Sequence, residues 1–261
     1  MKAFAVQLAI AWEDRDANFA AVERAVEQAA PQPGDLVALP EMFATGFSMD
    51  VARVAENADG PTRRFCSRVA GDRQVYLVAG LSATGGGGRG RNLAVVHGPD
   101  GRLIASYAKL HPFSHAGETD FYEPGNSLVT AALGPWLACP LVCYDLRFPE
   151  PFRIAARCGA ELFVVIANWP AERAEHWRAL LIARAIENQA CVIGVNRIGS
   201  DPKHAYAGGS MIVDPQGRIL AEADAHAPFI QADLDLPALR AWREAFGALA
   251  DIRDEYPEPE G

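Results

Sequence analysis

A glutamate, a lysine and a cysteine each stand at the end of a strongly apolar run in this chain: Glu41 in LVALPEMF, Lys109 in IASYAKLHPF and Cys143 in PLVCYD. Strand ends of that kind deliver side chains to pockets. Singly the three mean little. A free cysteine usually behaves as an inert small hydrophobe, and a glutamate or lysine at a strand end is usually solvated or ion-paired. Together they form a hydrolytic set: a thiol nucleophile, a carboxylate able to take its proton, and a fixed cation able to steady the oxyanion of acyl transfer. Leu39, Pro40, Met42 and Phe43 flank Glu41 and give it an apolar setting. The chemistry suggested is attack on a carbonyl or nitrile carbon.

Such a set needs a frame of strands to hold it. Strand-like runs recur along the chain: AFAVQLAI, DLVALPE, QVYLVAGLSA, NLAVVHG, LIASYAK, ACPLVCYD, ELFVVIAN, ACVIGVN, SMIVD, RILAEA and FIQADLD. Several are apolar almost throughout, as expected of strands covered on both faces. Helices are expected after Asp16 as N-cap, where Phe19, Val22 and Val26 recur at spacings of three and four, and over about 149–158, 175–189 and 236–249. The class is mixed α/β. VVHGPDGRLIA and MIVDPQGRILA each place Pro and Gly between apolar runs and are expected to form β-hairpins, and GGGGRGR at 85–91 reads as a hairpin loop. No Ser/Pro-rich linker divides the chain, so residues 1–261 are expected to form a single domain. The acidic tail DEYPEPEG is expected at the surface or disordered unless a partner subunit holds it.

Composition narrows the function classes. Half of the 261 residues are apolar, and the formal net charge of -9 argues against a nucleic-acid or anionic-membrane partner, since both reward a basic face. Small-molecule substrates are the better expectation. No apolar stretch approaches the roughly 20 residues that cross a bilayer, and MKAFAVQLAIAWED reads as a first strand because Glu13 and Asp14 soon interrupt it. Five cysteines, at positions 66, 139, 143, 158 and 191, form no CxxC pair and suit a reducing, cytoplasmic location. Cys139 and Cys143 are expected on one face of a strand and are not expected to pair.

Four segments then resemble a known family in order and spacing across nearly the whole chain: LPEMFATGF; YAKLHPF followed by AGETDFYEPG; LVCYDLRFPE; and ANWPAERAEHWRALLIARAIENQACVIGVNRIG. They look like the nitrilase superfamily of carbon-nitrogen hydrolases. The NWP, HW, ARAIENQ and NRIG elements most resemble its omega-amidase branch, which hydrolyses the terminal amide of small 2-oxo acids such as 2-oxoglutaramate. The resemblance implies a four-layer αββα sandwich in which Glu41 is the general base, Lys109 stabilises the tetrahedral intermediate and Cys143 is the nucleophile that forms a thioester. The backbone N–H of Tyr144 is implied as the second oxyanion donor beside Lys109. The family carries a second glutamate for which Glu118 and Glu123 compete; counting back from Pro124 and Gly125, the family spacing selects Glu118. No metal and no organic cofactor are implied, and a homodimer is.

The substrate side is less legible. Phe43, Asn168 and Trp169 are candidates to line the acyl pocket, although Trp169 and Trp177 have an equally plain reading as packing residues. Arg147 and Arg173 are the cations considered for a substrate carboxylate. Arg147 is expected instead to pair internally with Asp145 or Glu150.

Other readings explain less. A papain-like Cys–His pair could draw on His97, His111, His115, His176, His204 or His226, but Cys143 lacks that local signature. A zinc site on His111, His115 and Glu118 is opposed by Pro112, which interrupts the helix such spacing needs. GGGGRG formally fits GxGxxG, yet a strand follows it and not a helix. Nitrile and N-carbamoyl amino acid hydrolysis use the same nucleophile and stay open as alternatives, as does a catalytically inactive binding protein on the same fold.

Overall fold

Side chains alternate along the first strand between two different cores. Ala3 and Ala5 join one cluster of buried residues while Phe4 and Val6 join another, the period of two that a pleated strand imposes. The computed structural model describes residues 1–253, so the tail DEYPEPEG lies outside the described residues.

The first sheet contains β1 (Lys2–Val6), β2 (Leu36–Ala38), β3 (Tyr76–Thr84), β4 (Gly90–His97) and β5 (Leu103–Ala108). The second contains β6 (Ala131–Leu133), β7 (Trp136–Val142), β8 (Leu162–Ala167) and β9 (Cys191–Asn196). A two-stranded ribbon follows, β10 (Ile198–Ser200) with β11 (Ala205–Ala207), and then β12 (Met211–Val213) and β13 (Ile219–Glu222) complete the second sheet. The last strand, β14 (Phe229–Asp233), returns to the first sheet. Strand orders are β14-β1-β2-β3-β4-β5 and β13-β12-β9-β8-β7-β6. In each sheet three central strands run parallel: β1, β2 and β3 in one, β7, β8 and β9 in the other.

Helices cover the outer faces. α1 (Arg15–Ala29) and α3 (Pro61–Arg73) lay Val22, Val26, Phe65 and Val69 on the Phe4 face of the first sheet; α2 (Val51–Val54) is a single turn between them. On the second sheet, α5 (Pro149–Arg157) contributes Phe152 and Ala155, and α6 (Ala174–Asn188) contributes Trp177, Leu181 and Ala185. The short α4 (Glu118–Phe121) follows β5, and α7 (Leu236–Ala245) follows β14, with a 3₁₀ turn at Ala248–Asp251 after it. The inner faces of the two sheets meet, for Ala3, Leu36, Val78 and Val96 share one cluster with Leu141, Val165 and Ile193. The result is the expected four-layer αββα sandwich. All residues of β8 and β9 are buried, which is why their sequences are apolar without alternation. Among the described residues no helix is long and apolar enough to cross a membrane.

Both expected hairpins form, as β4–β5 and β12–β13, and the glycine loop joins the antiparallel β3 and β4. Three local expectations are corrected. α1 is capped by Asp14, whose side chain accepts the Ala17 N–H at 3.0 Å, and not by Asp16. α3 was not foreseen: Thr62, Phe65, Cys66, Val69 and Ala70 are buried at helical spacing, but four interspersed arginines and a glycine dilute the stripe. Cys143 does not share a strand with Cys139, because β7 ends at Val142 and the chain turns.

Candidate active site

Glu41 is delivered by the turn that follows β2. Leu39 N–H donates to the Val78 carbonyl at 2.8 Å, and Phe43 N–H to the Gly80 carbonyl at 3.2 Å, so the turn is laced to β3 on both sides of the glutamate. Gly80 permits this approach: a Cβ there would lie 2.4 Å from Glu41 Cα. Lys109 leaves β5 with its N–H on the Asn92 carbonyl at 2.9 Å and its carbonyl on the Gly125 N–H at 2.8 Å. Gly125 is similarly required, since a Cβ would meet the Ala108 oxygen at 2.2 Å.

Cys143 opens a tight 3₁₀ turn, Cys143–Arg147, directly after β7, with φ of 45° in the left-handed region. That conformation costs a non-glycine residue about 1–2 kcal/mol. Asp145 holds the turn from within. Its Oδ2 accepts the Val142 N–H at 3.1 Å and the Tyr107 hydroxyl at 2.7 Å, while Oδ1 accepts the His111 N–H at 3.0 Å and lies 2.8 Å from His111 Nδ1. From this turn Sγ lies 3.9 Å from the Asn168 carbonyl at the end of β8.

The charged groups converge in the interior. Lys109 Nζ donates to Glu41 Oε1 at 3.0 Å and to Glu118 Oε2 at 2.8 Å, with all three side chains essentially inaccessible. Asn92 bridges the same two carboxylates, its Nδ2 lying 2.7 Å from Glu41 Oε1 and 2.8 Å from Glu118 Oε1. Glu41 Oε2 accepts the Asn168 N–H at 2.8 Å, and Glu118 Oε2 accepts the Phe113 N–H at 2.5 Å. Buried carboxylates tolerate their charge only with such partners.

Electrostatics sort the protons. Burial opposes the charge on Lys109, but Glu118 and Glu41 outweigh it and hold the ammonium well above the ordinary lysine range. Burial pushes the Cys143 thiol well above the ordinary cysteine value, and the charge of Glu41 adds to this; Lys109 opposes it without cancelling it. The resting sulfur is therefore a protonated thiol, its S–H directed to the Asn168 carbonyl at 3.9 Å and lying in the field of Glu41. Such a thiol must hand its proton to a base as it attacks, and Glu41 is in place to receive it.

A cavity opens on the sulfur, bounded by Lys109, Cys143 and Tyr144 on one side and by Asn168, Trp169, Arg147, Arg173, Phe113, Pro170 and Phe47 on the others. Of the residues singled out in the sequence, Lys109 and Cys143 line this cavity, while Glu41 and Glu118 lie behind it on Lys109 Nζ. Tyr144 is the second residue of the 3₁₀ turn, whose first N–H groups have no acceptor within the turn. Asn168 and Trp169 line the cavity, and Trp169 also packs, with its ring 5.5 Å from Trp177 and its Nε1–H on the Arg173 carbonyl at 2.7 Å. Trp177 is a packing residue whose Nε1–H donates to the Gly209 carbonyl at 2.7 Å.

Phe43 does not line the cavity. The turn at Met42, with φ of 44°, swings it into the outer core, where its ring lies 6.1 Å from Phe19 and 6.0 Å from Phe65. Phe47, four residues on, supplies the aromatic wall. Arg147 pairs with neither Asp145 nor Glu150: Asp145 is spent on the turn, and the guanidinium lies 4.8 Å over the Trp169 ring with Nη2 3.2 Å from His176 Nδ1. Arg173 lies 5.5 Å over the Phe113 ring and pairs with Glu172 through Nη1, while its buried Nη2 has no hydrogen-bond partner. Glu123 lies outside the cluster, ion-paired with Arg91 at 3.1 Å, and that hydrogen bond holds its carboxyl below the usual value. Asn92 and Phe47 were not singled out from the sequence. A buried asparagine at the head of the apolar run NLAVVHG was the available signal for the first, and nothing distinguished the second from other loop aromatics.

Comparison with known proteins places this geometry in context. The family described as carbon-nitrogen hydrolase matches residues 2–244. Omega-amidase YafV of Escherichia coli K12 is 40% identical over 260 residues, covering 98% of each chain. The 2-oxoglutaramate amidase of Bacillus subtilis is 35% identical over 224 residues, covering 85% of this chain and 86% of the relative. Among solved structures, XC1258 from Xanthomonas campestris, a CN-hydrolase superfamily protein with an arsenic adduct in its active site, superposes with a TM-score of 0.90 at 31% identity over 99% of each chain.

Proposed function

The chain belongs to the carbon-nitrogen hydrolase family, and from that premise we propose that it is an omega-amidase, hydrolysing the terminal amide of a small 2-oxo acid such as 2-oxoglutaramate to the 2-oxo acid and ammonia. The observation that carries the mechanism is the convergence of Cys143, Glu41 and Lys109 in one buried cluster beside the cavity.

In the first step Sγ of Cys143 bonds to the amide carbon as Glu41 takes the thiol proton. The carbonyl oxygen becomes an oxyanion, received by the Lys109 ammonium and the Tyr144 N–H. Glu41 then returns the proton to the nitrogen, the C–N bond breaks, and ammonia leaves an acyl thioester on Cys143. Water, deprotonated by Glu41, attacks the thioester; collapse of the second intermediate releases the acid and restores the thiol. Glu118 holds the Lys109 ammonium at 2.8 Å and does not itself contact the reacting carbon. The carboxylate of the 2-oxo acid is assigned to Arg147 and Arg173, the two guanidinium groups on the cavity wall, of which Arg173 has a free Nη2.

A nucleophile that must stay reduced suits the cytoplasm, and the five cysteines are free. A homodimer is proposed as well, with Ile154 on α5 and Ile186 on α6 both about half exposed on the outer face; light scattering that gives a monomer mass removes it. The catalytic reading is tested by ammonia release from 2-oxoglutaramate against simple nitriles and N-carbamoyl amino acids. Fastest release from the 2-oxo amide is expected; faster turnover of a nitrile or carbamoyl compound replaces the substrate assignment.

A further inference from the structure

We propose that Phe47 is the partition that fixes the acyl length the site accepts, and that the cavity behind it is a distal subsite for longer straight-chain ω-amides. The inference rests on the amidase reading above. The cavity at Cys143 is narrow, about 20 Å³ where a single water needs about 10–15 Å³, so the walls confine closely any acyl chain placed there. A second cavity of about 230 Å³ lies beyond it, with Trp12, Met49, Ala116 and Lys203 among its walls. Among the described residues Phe47 alone lines both. Its ring centroid is 5.3 Å from Lys109 Nζ, so the partition stands at the reacting centre and not at a remote mouth.

The local backbone fixes the ring in that place. Gly46, with φ of 76°, donates its N–H to the Met42 carbonyl at 2.8 Å, and its own carbonyl accepts the Ser48 N–H at 2.8 Å. The Trp12 ring is packed so closely on Gly46 that a Cβ there would lie 3.1 Å from it. The two cavities also border neighbouring positions of one short segment, Phe113 lining the first and Ala116 the second.

The second cavity has the chemistry of an acyl tail with an anionic end. Trp12, Met49 and Ala116 offer surface to methylene groups. Each acid of the wall already accepts hydrogen bonds: Asp201 takes the Lys203 and His204 N–H groups at 2.7 Å each, Glu13 holds Ser48 at 2.6 Å and Arg53 at 3.0 Å, and Asp50 takes the Arg53 N–H at 3.2 Å. Lys203 has no ion-pair partner among the described residues and is free to meet a terminal carboxylate.

The test measures kcat/KM for ammonia release along the monoamides of straight-chain dicarboxylic acids, succinamate to suberamate, with the wild type, Phe47→Ala, Phe47→Leu and the double variant Phe47→Ala/Ala116→Phe. The wild type is expected to fall steeply with length. Phe47→Ala should raise the suberamate-to-succinamate ratio by about 10-fold or more, the scale on which a hydrophobic pocket discriminates; Phe47→Leu should move it the same way by less. Refilling the cavity with Ala116→Phe should return the ratio toward the wild-type value. A folded Phe47 variant with the wild-type ratio, or a gain that Ala116→Phe does not reverse, overturns the proposal. A wild type that prefers amides lacking the 2-oxo group overturns the omega-amidase reading and leaves the length ratio, on which the partition is judged, intact.

Discussion

The Asn168 N–H donates to Glu41 Oε2 at 2.8 Å, joining the end of β8 in the second sheet to the turn after β2 in the first. The Asn168 side chain repeats the link, with Nδ2 2.7 Å from the Glu41 carbonyl. Glu41 is therefore oriented by one sheet and carried by the other. Catalytic geometry of this kind depends on the packing of the whole sandwich, and small displacements between layers reach the reacting atoms.

Glu41→Gln preserves shape and removes the base. Ammonia release is expected to fall by about 10²–10⁴-fold, the usual worth of a positioned proton acceptor, while KM changes little. Burial is the larger cause of the raised Cys143 thiol and the charge of Glu41 adds to it, so loss of that charge moves the thiol downward toward the ordinary range although burial still opposes ionisation. At a fixed mildly alkaline pH, Glu41→Gln should thus be alkylated by iodoacetamide faster than the wild type. Slower alkylation would show that Glu41 does not hold the thiol proton.

Stability should decline in alkali. Burial pushes the thiols of Cys139 and Cys191 up to about 12 and raises Cys66 as well. The sign follows from linkage: a folded value above the unfolded one, about 8.5 for cysteine, gives stability that is complete below the unfolded value and lost as pH rises toward the folded one. The urea midpoint of unfolding is expected to be flat near neutrality with respect to these groups and to fall progressively above about pH 8.5. Cys191→Ala should lessen that fall; an unchanged alkaline slope in Cys139→Ala and Cys191→Ala alike would refute the assignment.

Arg173→Gln removes a guanidinium whose Nη2 is buried without a partner. KM for 2-oxoglutaramate is expected to rise by about 10-fold or more, on the scale of a charge-assisted hydrogen bond, with little change for an uncharged amide such as butyramide. Equal losses on both substrates would assign Arg173 to the structure of the loop and not to the carboxylate.

Glu41, Lys109 and Cys143 were legible because each stands where an apolar run stops, Glu118 only through the family spacing back from Pro124 and Gly125, and the central strands β8 and β9 were legible because they are covered on both faces. What escaped depended on turns. Phe43 and Phe47 share one loop and one residue type; only the left-handed backbone at Met42 sends the first into the core and leaves the second at the cavity. Arg147 could not be placed because its expected partner, Asp145, is consumed by four contacts that assemble only when β5, β7 and the 3₁₀ turn come together. Asn92 lay in a run that read as an ordinary strand, and its bridge between Glu41 and Glu118 joins positions far apart in sequence. α3 was hidden by arginines that face solvent while its thin apolar stripe meets the sheet.

The central claim is that the acyl group passes through a thioester on Cys143. Rapid acid quench of the enzyme during turnover of 2-oxoglutaramate, followed by intact-mass and peptide analysis, tests it directly. The account predicts an acyl adduct on the peptide carrying Cys143, absent from Cys143→Ala, which also releases no ammonia. An adduct on another residue, or ammonia release at the wild-type rate by Cys143→Ala, would contradict it.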